Sequence, residues 1–159
     1  SMQKVQDLLL AQKPFVNTYS SEGMNDRLLN GDSILTAHWN GYALKGREEA
    51  TAAGHTITYA YPKEGVIGWM DNMMIPSTAT NVENAKKFMN FMMDPANMAL
   101  QSNFAGYANG INGSDALMSE ALQTAPEIVA PADAKVVFSF TCDAEAQKLI
   151  DRVWTNVLK

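Results

Sequence analysis

The sequence predicts an α/β fold, and three observations carry that expectation. Runs of β-branched and aromatic residues alternate along the chain with stretches whose apolar residues recur at helical spacing. Of 159 residues, 47% are apolar and 18% charged, the balance of a globular chain rather than a disordered one. No internal repeat or low-complexity segment interrupts the alternation.

Val5, Leu8, Leu9 and Gln12 lie at helical spacing, and Pro14 ends that first short helix. Phe15 to Tyr19 then reads as a strand. Met24, Leu28 and Leu29 predict a short amphipathic helix closed by Asn30-Gly31. Ile34 to Trp39 reads as a buried strand ending at a second turn signal, Asn40-Gly41. Residues 42–53 are helical in character, with Gly54 at the terminating position. Thr56 to Tyr61 alternates in the manner of a strand.

The middle of the chain is its most distinctive part. Val66 to Ile75 is a long extended-looking run stopped by Pro76. Thr80-Asn81-Val82-Glu83 has the pattern of a capping box, with Thr80 as N-cap and Glu83 reaching back. Val82, Ala85, Phe88, Met89, Met92 and Met93 then make one apolar helical face. Asp94-Pro95 caps and starts a helix that runs to about Phe104, with Pro95 where its missing N–H costs nothing. Residues 106–113 hold two Asn-Gly pairs and read as a loop. Short helices around 114–124 precede a connector with Pro126 and Pro131, and Val136-Val137-Phe138 reads as a brief strand. Ala146, Leu149, Ile150, Val153, Trp154 and Val157 stripe one face of a final helix, placing Trp154 in the core.

Charge and composition exclude several functions. A net charge of −5 repels a phosphate backbone, and no Lys/Arg stripe compensates, so nucleic acid is not a partner. The same sign favours a cationic ligand. No apolar run reaches the ~20 residues of a membrane span. Cys142 is the single cysteine, which excludes an internal disulfide; with no basic neighbour or His close in sequence, it reads as packing. His38 and His55 lie outside any metal-ligand spacing, so no metal is expected. There is no Gly-x-Ser-x-Gly, no phosphate-binding loop and no dinucleotide fingerprint, so no cofactor and no catalytic residue is expected. Met2 leads into polar residues and not into a secretory signal. Ser1-Met2 reads as the remnant of a cleaved tag, so location is not legible from the start of the chain.

Trp69 and Asp71 stand two residues apart, so on a strand they share a face. An indole wall beside a carboxylate suits an ammonium group: the ring offers a cation–π contact of roughly 0.5–2 kcal/mol, the carboxylate a charge-assisted hydrogen bond. Spacing alone favours a core Trp beside a solvated strand-edge acid. Trp39 ends a strand before Asn40-Gly41 opens a helix, a position where α/β sheets collect ligands and where aromatics also simply pack. Tyr107 and Asn109 sit in the Gly-rich loop, as ligand contacts or as a turn with an exposed ring. Seven of the ten methionines fall between positions 70 and 98, a pattern of core or of an adaptable binding surface.

Trp39-Asn40-Gly41, Tyr61-Pro62-Lys63-Glu64-Gly65, Trp69-Met70-Asp71 and Met74-Ile75-Pro76 together resemble bacterial polyamine-binding proteins, the extracytoplasmic receptors of spermidine/putrescine ABC transporters. The run Phe88 to Pro95 and the loop Gly106-Tyr107-Ala108-Asn109 extend the resemblance over nearly the whole chain, closer to the putrescine-preferring branch. The resemblance implies a two-lobed type II periplasmic-binding-protein fold that closes on a linear polyamine. It assigns ligand contacts to Trp69 and Asp71, with Trp39 and Tyr107 lining the site. Tyr42 and Asn109 lie beside matched positions and are added as candidates.

The chain matches only the C-terminal half of such receptors. By the family's topology, residues 3–69 and 111–159 belong to one lobe, while 70–110 cross the hinge into the other. The implied role is non-catalytic capture in the periplasm, with permease subunits as partners of the intact protein. The apolar face within 70–105 is expected to lack a cover and to drive self-association, and polyamine binding by this half alone is expected to be weak or absent. The alternatives are a receptor for another solute, a polyamine sensor for a signalling partner, or an enzyme sharing the two-lobed fold.

Overall fold

A computed structural model describes residues 1–139 and 141–159. The chain divides into two units, one formed by 1–36 with 139–159 and one by 37–138.

In the first unit, helix α1 (Met2–Gln12) packs along helix α7 (Ala144–Leu158). Asn156 Nδ2 donates to Gln6 Oε1 at 2.8 Å, tying the two helices side by side. α7 begins at Asp143, whose carboxylate accepts the Ala146 N–H at 2.7 Å and satisfies one of the free donors of the first turn. Val153 and Val157 are buried, but Trp154 is 40% exposed and does not join the core. It meets the Tyr19 ring edge-on, with centroids 5.1 Å apart, at the margin of the buried line. Helix α2 (Met24–Leu29) ends at Asn30 and at Gly31, whose φ of 76° suits glycine, as the Asn-Gly signal predicts. Cys142 is exposed, which corrects the expectation that it packs.

The second unit is built around helix α3 (Asn40–Ala52). Leu44 joins Ala99, Met118, Leu122 and Ala125 in a buried cluster, with Ile128 packed against it. Helix α5 (Pro95–Ala105) supplies Ala99 and starts as predicted: Asp94 Oδ1 accepts from Ala96 N at 2.9 Å and Asn97 N at 3.3 Å. Helix α6 (Glu120–Thr124) supplies Leu122, and Ser119 caps it. Strands β1 (Val66–Gly68) and β2 (Val136–Phe138) pair in parallel, Val66 opposite Val136 and Gly68 opposite Phe138. The connection between them carries helix α4 (Val82–Met92), α5 and α6, so the α/β expectation is met.

Three predicted strands, 15–19, 34–39 and 56–61, do not form. Lys13–Phe15 is a 3-10 turn with Pro14 at its start, which takes up the beginning of the first. The other two are irregular, and among the described residues β1 and β2 supply the sheet. A strand needs a neighbouring backbone whose C=O groups accept its N–H groups and whose N–H groups donate to its C=O groups. Ile34 and Leu35 are exposed, so this apolar run is not the buried strand its composition predicts.

The capping box at 80–83 is also absent. Asn81 occupies the N-cap position of α4 without a side-chain cap, and Glu83 instead accepts from Lys86 Nζ at 2.9 Å. The apolar face of α4 is present in register and only partly covered, with Val82, Ala85, Met89 and Met92 half-buried. No residue of α4 is fully buried, and Phe88 and, off that face, Phe91 are 58% and 55% exposed. No helix among the described residues is long and apolar enough to cross a membrane.

Candidate functional site

All six candidate residues fall within the second unit. Trp69 follows the C-terminal end of β1, and Asp71 comes two residues later on irregular, exposed backbone. Trp39 is the N-cap residue of α3, and Tyr42 lies in its first turn. Tyr107 and Asn109 follow α5, which ends at Gly106 with a φ of 80°.

The structure brings four of the six together. Trp69 and Tyr107 meet edge-on, with ring centroids 6.3 Å apart and an interplanar angle of 76°, a favoured arrangement of two ring quadrupoles. Burial pushes the Tyr107 hydroxyl above the usual tyrosine range, a hydrogen bond with the Tyr42 backbone opposes this, and the Asp71 carboxylate adds to it. The Asp71 charge thus acts on the phenol, and the Tyr42 backbone bonds the same oxygen. Tyr42 also receives the His38 ring edge-on at 5.0 Å. The two half-exposed indoles, Trp39 and Trp69, leave aromatic surface available at this end of α3 and β1.

The close approach depends on Gly41. A Cβ at this position would lie 2.6 Å from the Tyr107 ring and 2.6 Å from the Gly106 carbonyl oxygen, so only glycine lets the loop rest on α3. The Asn-Gly pair therefore opens a helix against a tyrosine ring and does not make a turn.

Asn109 is turned the other way. Its Oδ1 accepts from Ile111 N at 2.8 Å and lies 2.8 Å from Ser114 Oγ, while its Nδ2 donates to Ser102 Oγ at 2.8 Å. Both serines are completely buried. Sequence reasoning missed these serines, although Ala99, Ser102 and Gly106 recur at the three- and four-residue steps of a buried helix face.

It also missed the anchor of α3. Arg47 donates from Nε to Glu127 Oε1 at 2.6 Å and from the guanidinium fork to Oε2 at 2.9 Å. Asn40 Nδ2 adds a bond of 3.0 Å to the Glu127 carbonyl. These bonds hold the helix that carries Trp39 and Tyr42 onto the 125–128 connector.

A cleft of about 500 Å³ elsewhere in this unit is lined by Tyr59, Tyr61, Lys63, Pro126, Asp133 and Lys135 among others. It contains none of the six candidates and borders the segments that lead into β1 and β2, whereas ligands of α/β sheets collect at the carboxyl ends. The Tyr61 hydroxyl is already committed, donating to the Pro126 carbonyl at 3.0 Å. Among the described residues no cluster of His, Cys, Asp and Glu is arranged to hold a metal ion.

Comparison with known proteins gives a consistent result. The model of a family described as bacterial extracellular solute-binding protein matches residues 2–131. The putrescine-binding periplasmic protein PotF of Escherichia coli is 31% identical over 156 residues, covering 95% of this chain and 42% of that protein. The putrescine-binding periplasmic protein SpuD of Pseudomonas aeruginosa is 30% identical over 160 residues, covering 98% of this chain and 44% of that protein. A putrescine/agmatine-binding protein of Pseudomonas aeruginosa is 26% identical over 159 residues. The chain spans less than half the length of these curated relatives.

Proposed function

Because the chain belongs to the bacterial extracellular solute-binding protein family, we propose that it is the C-terminal portion of a periplasmic receptor that captures polyamines, putrescine or spermidine, for uptake by ABC permease subunits. The observation that carries this reading is the edge-on Trp69–Tyr107 pair, and the Asp71 charge acts on the Tyr107 hydroxyl. A polyamine is a chain of methylenes punctuated by ammonium groups. Its methylenes lie against Trp69, Tyr107 and Trp39, Tyr42 closes the side nearest α3, and one ammonium meets Asp71. Aromatic spacing against carboxylate position then selects ligand length. The site offers no nucleophile with an adjacent base, and the role is binding without transformation.

In the intact receptor, residues 3–69 and 111–159 form most of one lobe, and 70–110 cross the hinge into the other. Closure of the lobes on ligand signals occupancy to the permease by population shift. Taken alone, this chain carries half a cleft. Its binding of polyamines is therefore weak or absent, and the exposed Phe88, Phe91 and Met93 pair copies of it through 70–105.

The test is a thermal-shift panel on the full-length receptor followed by calorimetry. Putrescine and spermidine raise the melting temperature, while amino acids, sugars and anions leave it unchanged. Stabilisation by another solute class alone overturns the reading. Tight putrescine binding by the 159-residue chain by itself overturns the half-cleft argument.

A further inference from the structure

We propose that Asn109 is a positioning residue for Tyr107, acting through the buried hydroxyl of Ser102, and is not a group that meets ligand. The inference rests on the reading above only in treating Tyr107 as a ligand-facing ring.

Ser102 holds both ends of the segment that carries that ring. Its backbone carbonyl accepts the Gly106 N–H at 2.8 Å, closing the last turn of α5. Its side-chain Oγ accepts the Asn109 Nδ2–H at 2.8 Å. Residues 106–109 are thus stapled at entrance and exit to one residue, and Tyr107 lies inside the staple. Ser102 has no exposed surface, so it touches no ligand and affects one only through what it holds.

The rest of the Asn109 amide is engaged as well. Oδ1 takes the Ile111 N–H in an Asx turn. Ser114 Oγ lies 2.8 Å from both Asn109 Oδ1 and the Ile111 carbonyl, and its single proton serves one of them at a time. An amide whose oxygen takes the Ile111 N–H and faces the buried Ser114 hydroxyl, and whose nitrogen reaches the buried Ser102 hydroxyl, is turned into the protein and not towards a polyamine, which brings donors and needs acceptors. Against α3, the Tyr107 ring packs into the space a Cβ at Gly41 would fill. A shift of the loop by a few tenths of an ångström is transmitted to that ring, because packed interiors do not deform continuously.

The first experiment needs no ligand. In proton–nitrogen NMR of the 159-residue chain, the Trp69 indole N–H reports the Tyr107 ring beside it. Asn109→Ala and Ser102→Ala each move that signal towards its position in Tyr107→Ala, while the Trp39 and Trp154 indole signals stay put. Asn109→Asp replaces the amide donor with an acceptor for the Ser102 hydroxyl proton, so the link survives with its direction reversed and the Trp69 signal stays near its original place. A Trp69 signal unmoved by Asn109→Ala and Ser102→Ala, yet moved by Tyr107→Ala, overturns the proposal. If Asn109→Ala does not fold, Ser102→Ala decides alone.

The second experiment is a double-mutant cycle on the full-length receptor with putrescine. Asn109→Ala weakens binding about tenfold, the scale at which outer partners of a binding group act, and costs nothing further once Tyr107 is Ala. An equal loss in both backgrounds makes Asn109 a direct contact and overturns the proposal. If the unmutated receptor binds no polyamine, the reading of its function fails, and the indole signal still decides the role of Asn109.

Discussion

Arg47 and Glu127 stand 80 positions apart in sequence and meet through two hydrogen bonds, with the carboxylate side chain fully buried and the guanidinium still about a third exposed. The pair is asymmetric, and its two members fail differently when separated. A carboxylate left alone in the interior has lost both its water and its partner. A guanidinium left alone at the surface rehydrates.

Arg47→Ala is therefore the more damaging single change. It is expected to cost about 3–5 kcal/mol, the scale for an uncompensated buried charge. Glu127→Ala costs less. Replacing both partners with apolar residues of similar size recovers most of the loss. Urea midpoints with unchanged slopes measure the ordering. Equal losses for the two single variants would show that the pair acts through packing volume and not through charge.

Gly41→Ala tests the contact between α3 and the tyrosine loop. In an ordinary helix interior this change stabilises by about 1 kcal/mol. Here the new methyl group meets the Tyr107 ring and the Gly106 carbonyl, neither of which can retreat freely. The expected outcome is a net loss of about 1–3 kcal/mol, the range for overpacking. A rise in melting temperature would mean that the loop does not rest on α3.

Much of this arrangement was legible locally, and the reason is physical. Asp94-Pro95 and the glycines at 31 and 54 act within one helical turn, so their signals are complete in the sequence. Strand formation is not local. The run at 56–61 has strand composition, but composition alone does not make a ladder. In the site, the spacing of Trp69 and Asp71 made them candidates, while the pairing of Trp69 with Tyr107 and the need for Gly41 depend on contacts across many residues. Asn109 was visible as a loop amide. The direction it faces was not, because Ser102 and Ser114 lie on segments whose packing no short motif encodes.

His38 makes stability pH-dependent in a definite direction. Burial pushes its pKa below the usual histidine value, against a smaller opposing effect from the Trp39 backbone. As pH falls through the unfolded value of about 6.5, the unfolded chain binds the proton more readily than the folded one, and stability is lost. His38→Gln should flatten the stability profile between about pH 7 and pH 5 relative to the unmodified chain. Urea unfolding at the two pH values measures this difference, and parallel profiles would remove His38 as the cause.

The exposed apolar side chains on and just after α4 predict self-association of the isolated chain. Phe88, Phe91 and Met93 are each more than half exposed. At micromolar concentration, light scattering is expected to report a species larger than the monomer, and Phe88→Asp with Phe91→Asp should return it to monomer without lowering its melting temperature. A monomeric unmodified chain would remove this surface as an interface.

The Asp71 carboxylate is the remaining discriminator, because its proposed work is electrostatic while its structural work is slight. Asp71 is exposed on irregular backbone. Asp71→Asn preserves shape and removes charge, so its effect on stability should stay within about 0.5 kcal/mol, as for other surface substitutions. In the full-length receptor the same change deletes the ionic half of a hydrogen bond to an ammonium, a loss of about 1.5–3 kcal/mol, or roughly 10- to 100-fold in affinity. Calorimetry with putrescine beside a thermal melt separates the two quantities. Unchanged affinity would take Asp71 out of the site. A parallel fall in affinity and melting temperature would make it a structural residue.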